Sequence, residues 1–321
     1  MRVPAMRAEE DRLGAGKTMR RGRFWRGVRA ACAVILLCGV GCRLWRSAAR
    51  DGRHFDGDRA YAHAVSQCEI GPRVVGTVGV QKAAAYIEAE LKREGWQVER
   101  QTFVYRGVAG QNVVARQGTG PIVILGTHYD TRSVADRDPV APTLPVPGAN
   151  DGASGVAVLL EMARALDVAY ADVEVWLVFF DAEDQGGIDG WPFSVGSAYM
   201  AQDLAVQAQA IVVVDMVGDT EQQIFLRQNS DRELAQSIWA VAEGLGYGDR
   251  FIPEWRGPIT DDHVPFLKQG MPAALVIDFD YEYWHTTADT LDKVSPDSLH
   301  AVGHVLETWL EEKRGPWWRT P

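Results

Sequence analysis

Four short, almost wholly apolar runs constrain this chain more than any other feature: residues 121–126 (PIVILG), 173–180 (VEVWLVFF), 210–216 (AIVVVDM) and 273–277 (AALVI). A strand with one wet face alternates apolar and polar residues. A run that is apolar at nearly every position must be covered on both faces. Stretches of helical period lie between these runs. In 80–94, Ala83, Ala84, Ile87 and Leu91 share one face, and Gly95 follows. Residues 155–166, 231–245 and 296–312 also read as helices, and 97–105 alternates as a strand. The pattern predicts an α/β fold: a single domain with a central mixed, mostly parallel sheet flanked by helices on both faces.

Charge divides the chain into two parts. Residues 1–50 hold 12 basic and three acidic residues, which leaves 21 basic and 40 acidic in residues 51–321. A body this acidic is a poor partner for nucleic acid, whose phosphates need cations. The basic head precedes an uncharged run, 30–42, too short for the about 20 residues of a spanning helix. Arginines followed by an apolar stretch of this length match a secretory signal or membrane anchor. The expectation is a leader over 1–50, a catalytic domain over 51–321, and an extracytoplasmic protein, secreted or membrane-anchored, touching membrane only through the leader. Three of the four cysteines, Cys32, Cys38 and Cys42, sit in that leader. Cys68 alone remains in the body, so no disulfide is expected there, and a monomer is expected.

Polar residues collect where the apolar runs end. PIVILG leads into Thr127-His128-Tyr129-Asp130, VEVWLVFF into Asp181-Ala182-Glu183-Asp184, and AIVVV into Asp215. The run at 273–277 precedes a loop with Trp284-His285, and Asp151 stands just before a helix. In a parallel sheet, ligands bind beyond the carboxyl ends of the strands. Any one of these residues has a plain explanation: Asp151 as a helix cap, His285 as a solvated loop residue, adjacent acids as a turn. Five such sites on one rim do not. Carboxylates and imidazoles gathered there repel unless a cation neutralises them, and mixed N and O donors suit zinc. Of two adjacent acids, one can hold metal while the other faces substrate and moves protons.

The segments THYDTR, GANDGASGVAVLLEMARAL, FFDAED, VVDMVGD and DDHVPF...WHTTADT resemble the zinc aminopeptidases of family M28. More closely, they resemble the glutaminyl-peptide cyclotransferases of bacteria related to the animal type. The likeness covers about residues 60–312. It implies one zinc held by Asp151, Asp184 and His285, with Glu183 as general base and acid. Asp215 and Asp261 would form the acid network around Glu183, and Trp284 and Trp191 would line the substrate pocket. The expected substrate is a peptide or protein with N-terminal Gln, converted to pyroglutamate with release of ammonia. The aminopeptidase alternative uses the same residues with two zinc ions, His128 and Asp215 completing the second site. Trp284 before His285, Asp261-Asp262-His263, and the loop 132–147 favour the cyclase. A non-enzymatic binding ectodomain is disfavoured because each expected ligand is intact. His263 is expected to brace its loop, His300 and His304 to lie on a solvated helix face, and Trp309, Trp317 and Trp318 to pack the C-terminal helix and tail.

Overall fold

A computed structural model of the protein describes residues 53–312; the basic leader and the tail with Trp317 and Trp318 lie outside that range. In chain order the elements are α1 (Gly57–Ile70), α2 (Val78–Arg93), β1 (Gln97–Tyr105), β2 (Val108–Gly118), β3 (Ile122–His128), α3 (Ala153–Ala165), the short α4 (Val168–Ala171), and β4 (Glu174–Phe180). They continue with α5 (Val195–Asp203), β5 (Ala210–Asp215), β6 (Ile224–Arg227), α6 (Arg232–Gly244), β7 (Phe251–Arg256), α7 (His263–Lys268), β8 (Ala273–Ile277) and α8 (Pro296–Glu312).

The main sheet has six strands in the order β1-β2-β4-β3-β5-β8. β3, β4, β5 and β8 run parallel, and β1 and β2 pair antiparallel at one edge. The sheet is therefore mixed and mostly parallel, and helices cover both faces. Alternation along each strand sends side chains to opposite sides. Val123 and Leu125 join the larger core beneath α1, α2, α3, α6 and α8, while Ile124 joins the core beneath α5 and α7. A separate two-stranded parallel sheet pairs β6 with β7. No described helix is long and apolar enough to cross a membrane.

Two local features explain how this sequence closes the fold. Arg106 and Gly107 form the two-residue turn between β1 and β2, with φ of 50° and 84°. Positive φ at both positions is the type I′ geometry that matches strand twist. The central helix α3 lies hard against the sheet because residue 155 is glycine. A Cβ there would stand 2.2 Å from Thr127 Oγ1 and 2.7 Å from the Val214 carbonyl. Nearly every residue of α3 is buried, Glu161 included. That buried carboxylate accepts the Asp56 amide at 3.1 Å and two hydrogen bonds from Arg164 Nε at 3.0 Å, and so ties the start of the described chain to the core.

The parallel strands end in register. His128 pairs with Phe180 across β3 and β4, and Asp215 with Ile277 across β5 and β8. The rim so formed carries the chemistry described next. Just beyond β8, Asp278 is buried and accepts the amides of Gln223 and Asp280, at 2.8 and 3.2 Å. Burial pushes its carboxyl up to about 7. A carboxyl raised in the folded state stabilises fully below the unfolded value of 3.8, and that contribution is lost as pH rises through about 7. Melting curves of Asp278→Asn beside the parent should show the gap moving in the variant's favour between pH 4 and pH 8. A pH-independent gap would refute this assignment.

Candidate active site

Loops at the carboxyl ends of β3, β4, β5 and β8, with the segment before α3, place the candidate side chains. Asp151, Asp184 and His285 each offer a ligand atom within 4.8 Å of the others, and all three are buried. His285 Nε2 lies 3.1 Å from Asp184 Oδ1 and 3.9 Å from Asp151 Oδ2. His128, Asp151 and Asp215 form a second such group, sharing Asp151. His128 Nε2 is 3.0 Å from Asp215 Oδ1 and 3.1 Å from Asp151 Oδ1. Asp151 does not cap α3: its N-cap residue is Gly152, with no side-chain cap bond.

The donor set fits a divalent ion. Asp151 Oδ2 and Asp184 Oδ2 are buried with no hydrogen-bond partner among the described residues. Buried lone pairs of this kind are costly unless something accepts them. Electrostatics give the same answer. Burial, then the neighbouring Asp151, pushes the Asp184 carboxyl up to about 7. Burial and the nearby Asp262, Asp261 and Asp184 push Glu183 well above the usual carboxylate range. Burial, then Asp215 and Asp262, does the same to Asp261. So many acids ionise together only beside a cation.

Three further acids hold the ligands in place. Asp130 Oδ1 and Oδ2 accept the amides of Glu183 and Asp184, at 3.0 and 3.2 Å. Asp289 accepts the amides of Asn150 and Asp151, at 2.8 and 3.1 Å, and the Tyr281 hydroxyl at 2.7 Å. Asp136 Oδ1 stands 3.4 Å from His285 Nδ1. Arg132 grips Asp136 through Nε and Nη2, at 2.7 and 2.8 Å, and also donates to the Asp184 carbonyl at 3.0 Å. The Arg132–Asp136 pair thus links two prospective ligands. Sequence reasoning assigned no role to these residues. The signal it could have used is the acid within THYDTR, within HTTADT, and within the loop after THYDTR. The backbone is also strained here: Ala182, Met216 and His285 adopt left-handed φ of 60°, 44° and 60°. Such conformations persist only where surroundings enforce them, and they gather at functional sites.

Glu183, Asp215, Asp261, Trp284 and the three prospective ligands all line one cavity of about 460 Å³. Trp284 leans on His285 with ring centroids 3.9 Å apart, packs on Phe279, and carries the Arg137 guanidinium 4.0 Å above its ring. Trp191 is not in the lining. It packs edge-on against Tyr105 at 4.9 Å, beyond the short turn at 188–190, and Phe193 lines the cavity instead, stacked 6.5 Å from His285. Pro192, the one residue between them, carries the chain from one wall to the other, a shift that residue type could not reveal.

Other expectations fare variously. His263 opens α7 and is buried, and burial pushes its imidazole down to about 3, so it is neutral. His300 and His304 are only partly solvated. They are half-buried, His300 against Phe55 and His304 bonded through Nδ1 to the Tyr247 hydroxyl at 3.1 Å, because the chain before α1 and the end of α6 cover that face. Trp309 is fully buried and donates to Ser237 Oγ at 2.9 Å.

Known proteins resemble this chain closely. The family model for peptidase family M28 matches residues 112–310. A mouse glutaminyl-peptide cyclotransferase-like protein is 29% identical, over 76% of this chain and 72% of that protein. The crystal structure of Tannerella forsythia glutaminyl cyclase superposes with a TM-score of 0.73 at 32% identity, covering 80% of this chain and 99% of that one. A zinc-dependent exopeptidase from Parabacteroides distasonis superposes with a TM-score of 0.75 at 31% identity, covering 80% and 98%.

If Asp136 orients His285, Asp136→Ala should weaken zinc binding by about 10- to 100-fold, the usual cost of losing a ligand's outer partner. Competition with a fluorescent chelator measures this. Unchanged zinc affinity would show the contact to be incidental.

Proposed function

The chain belongs to peptidase family M28, and from that premise we propose that it is a zinc-dependent glutaminyl-peptide cyclotransferase, acting on peptides or proteins that begin with Gln. Zinc held by Asp151, Asp184 and His285 would serve as a Lewis acid toward the substrate's side-chain carboxamide. The carrying observation is the acid network on the cavity wall: Glu183 is buried with Asp261, and burial and the repulsion of neighbouring acids raise both carboxyls. Such a pair holds a proton that can be passed on.

The α-amine nitrogen of the substrate bonds to its own side-chain carbonyl carbon, and the bond to the amide nitrogen breaks. Glu183 takes the proton that the attacking amine sheds and returns it to the departing nitrogen, which leaves as ammonia. Asp261 steadies that proton on the network. Ser194 Oγ, 3.3 Å from Glu183 Oε1, fixes the carboxyl's direction. Trp284, Phe279 and Phe193 present an apolar wall to the bent side chain, which favours attack by the amine over attack by water. The basic leader, with its apolar run, supports action outside the cytoplasm.

A specific observation keeps a second reading in view. His128, Asp151 and Asp215 could hold a second ion, as a two-zinc aminopeptidase requires. The two activities yield different products. Gln-Ala amide should release ammonia without chain shortening, chelator should abolish that release, and Leu-Ala amide should persist. Free leucine from the second peptide, with two zinc ions per chain, would establish the aminopeptidase instead. Glu183→Gln should lower the ammonia rate by a factor on the order of 10²–10⁴ with zinc retained. Full turnover by that variant would remove Glu183 from the mechanism.

A further inference from the structure

A second cavity, of about 320 Å³, adjoins the first and shares Pro192, Phe193, Thr260 and Asp261 with it. It lies between β1, α5 and α7. Phe103 and Tyr199 stack along it with ring centroids 5.3 Å apart. Val104, on its rim, is 70% exposed. Lys268 stands at its α7 side, exposed and without an ion-pair partner among the described residues. Asp261 and Ser194 on its wall belong to the proton-transfer network above; the rest of its lining has no part in that chemistry.

We propose that the groove receives the second and third residues of the substrate peptide, with an apolar or aromatic side chain at the second position and an acidic one at the third. The proposal rests on the cyclase reading of the neighbouring site. Its geometric basis is Ser194, which lines the groove and bonds to Glu183. In the cyclisation, the amine that gives its proton to Glu183 sits on the carbon that also carries the first carbonyl. The remainder of the peptide therefore departs from beside Glu183, where the groove begins. The aromatic pair Phe103 and Tyr199 suits an apolar second side chain. Lys268 supplies a positive charge where the chain would emerge, on a body that is otherwise strongly acidic.

The experiment compares ammonia release from glutamine amide, Gln-Gly-Gly amide, Gln-Phe-Glu amide and Gln-Phe-Lys amide. For the unaltered protein, kcat/KM for Gln-Phe-Glu amide should exceed that for Gln-Gly-Gly amide by about tenfold, the scale of one apolar contact. The gain should appear in KM. Tyr199→Ala should remove most of that advantage while glutamine amide, too short to reach the groove, keeps its rate. Lys268→Glu, an exposed change that leaves the fold alone, should invert the preference between the Glu and Lys peptides. If glutamine amide is turned over but the four substrates and both variants show no such differences, the groove assignment is overturned and the cyclase reading stands. If no substrate releases ammonia, both fall.

Discussion

The structure is organised by a concentration of buried negative charge at one rim of a parallel sheet. Asp151, Asp184, Asp215, Glu183, Asp261 and Asp262 are all buried there, with His128 and His285 between them. No apolar core tolerates that grouping by itself, since each ionised carboxylate in a low-dielectric setting raises the others. The fold brings them together because parallel strands ending in register deliver their next residues to the same place. The apolar runs that make the strands and the acids that follow them are thus two halves of one design. A divalent cation is the economical way to hold the acids ionised.

Holding the site takes a second layer of acids and some strain. Asp130 and Asp289 each accept two successive backbone amides and so fix the peptide direction at the ligand-bearing loops. Asp136, gripped by Arg132, faces the far nitrogen of His285. Left-handed backbone at Ala182, Met216 and His285 turns the chain sharply just after it leaves the strands or within the loop. That turn lets Glu183 and Asp184 serve different purposes although they are neighbours. Asp184 is directed to His285 at 3.1 Å, and Glu183 to Ser194 at 3.3 Å.

Much of this was legible in the chain itself. The buried strands announced themselves because their apolar runs have no polar alternation, and β1, β8 and α8 have the bounds that periodicity predicts. α1 escaped notice because its residues lack a clear apolar stripe: only Gly57, Ala60, Ala64 and Gln67 are buried. β2 carries Gly, Gln and Asn among its apolar residues, so alternation is weak, and the turn at Arg106-Gly107 is its clearest mark. β6 and β7 are four and six residues long, too short for a periodic signal. At the site, ligand types could be read from acids at strand ends. Trp191 could not be placed, because its wall is decided by the turn at 188–190. The clamps Asp130 and Asp289 act through backbone amides, a role that side-chain chemistry does not advertise.

The most direct test is to locate the metal. Crystals of the full chain grown with zinc, with anomalous data collected above and below the zinc edge, would reveal its position. The account predicts anomalous density among Asp151, Asp184 and His285, with ligand atoms at about 2.0–2.2 Å and Glu183 beside the ion but not bonded to it. Density elsewhere, none at all, or an ion coordinated by Glu183 would contradict it.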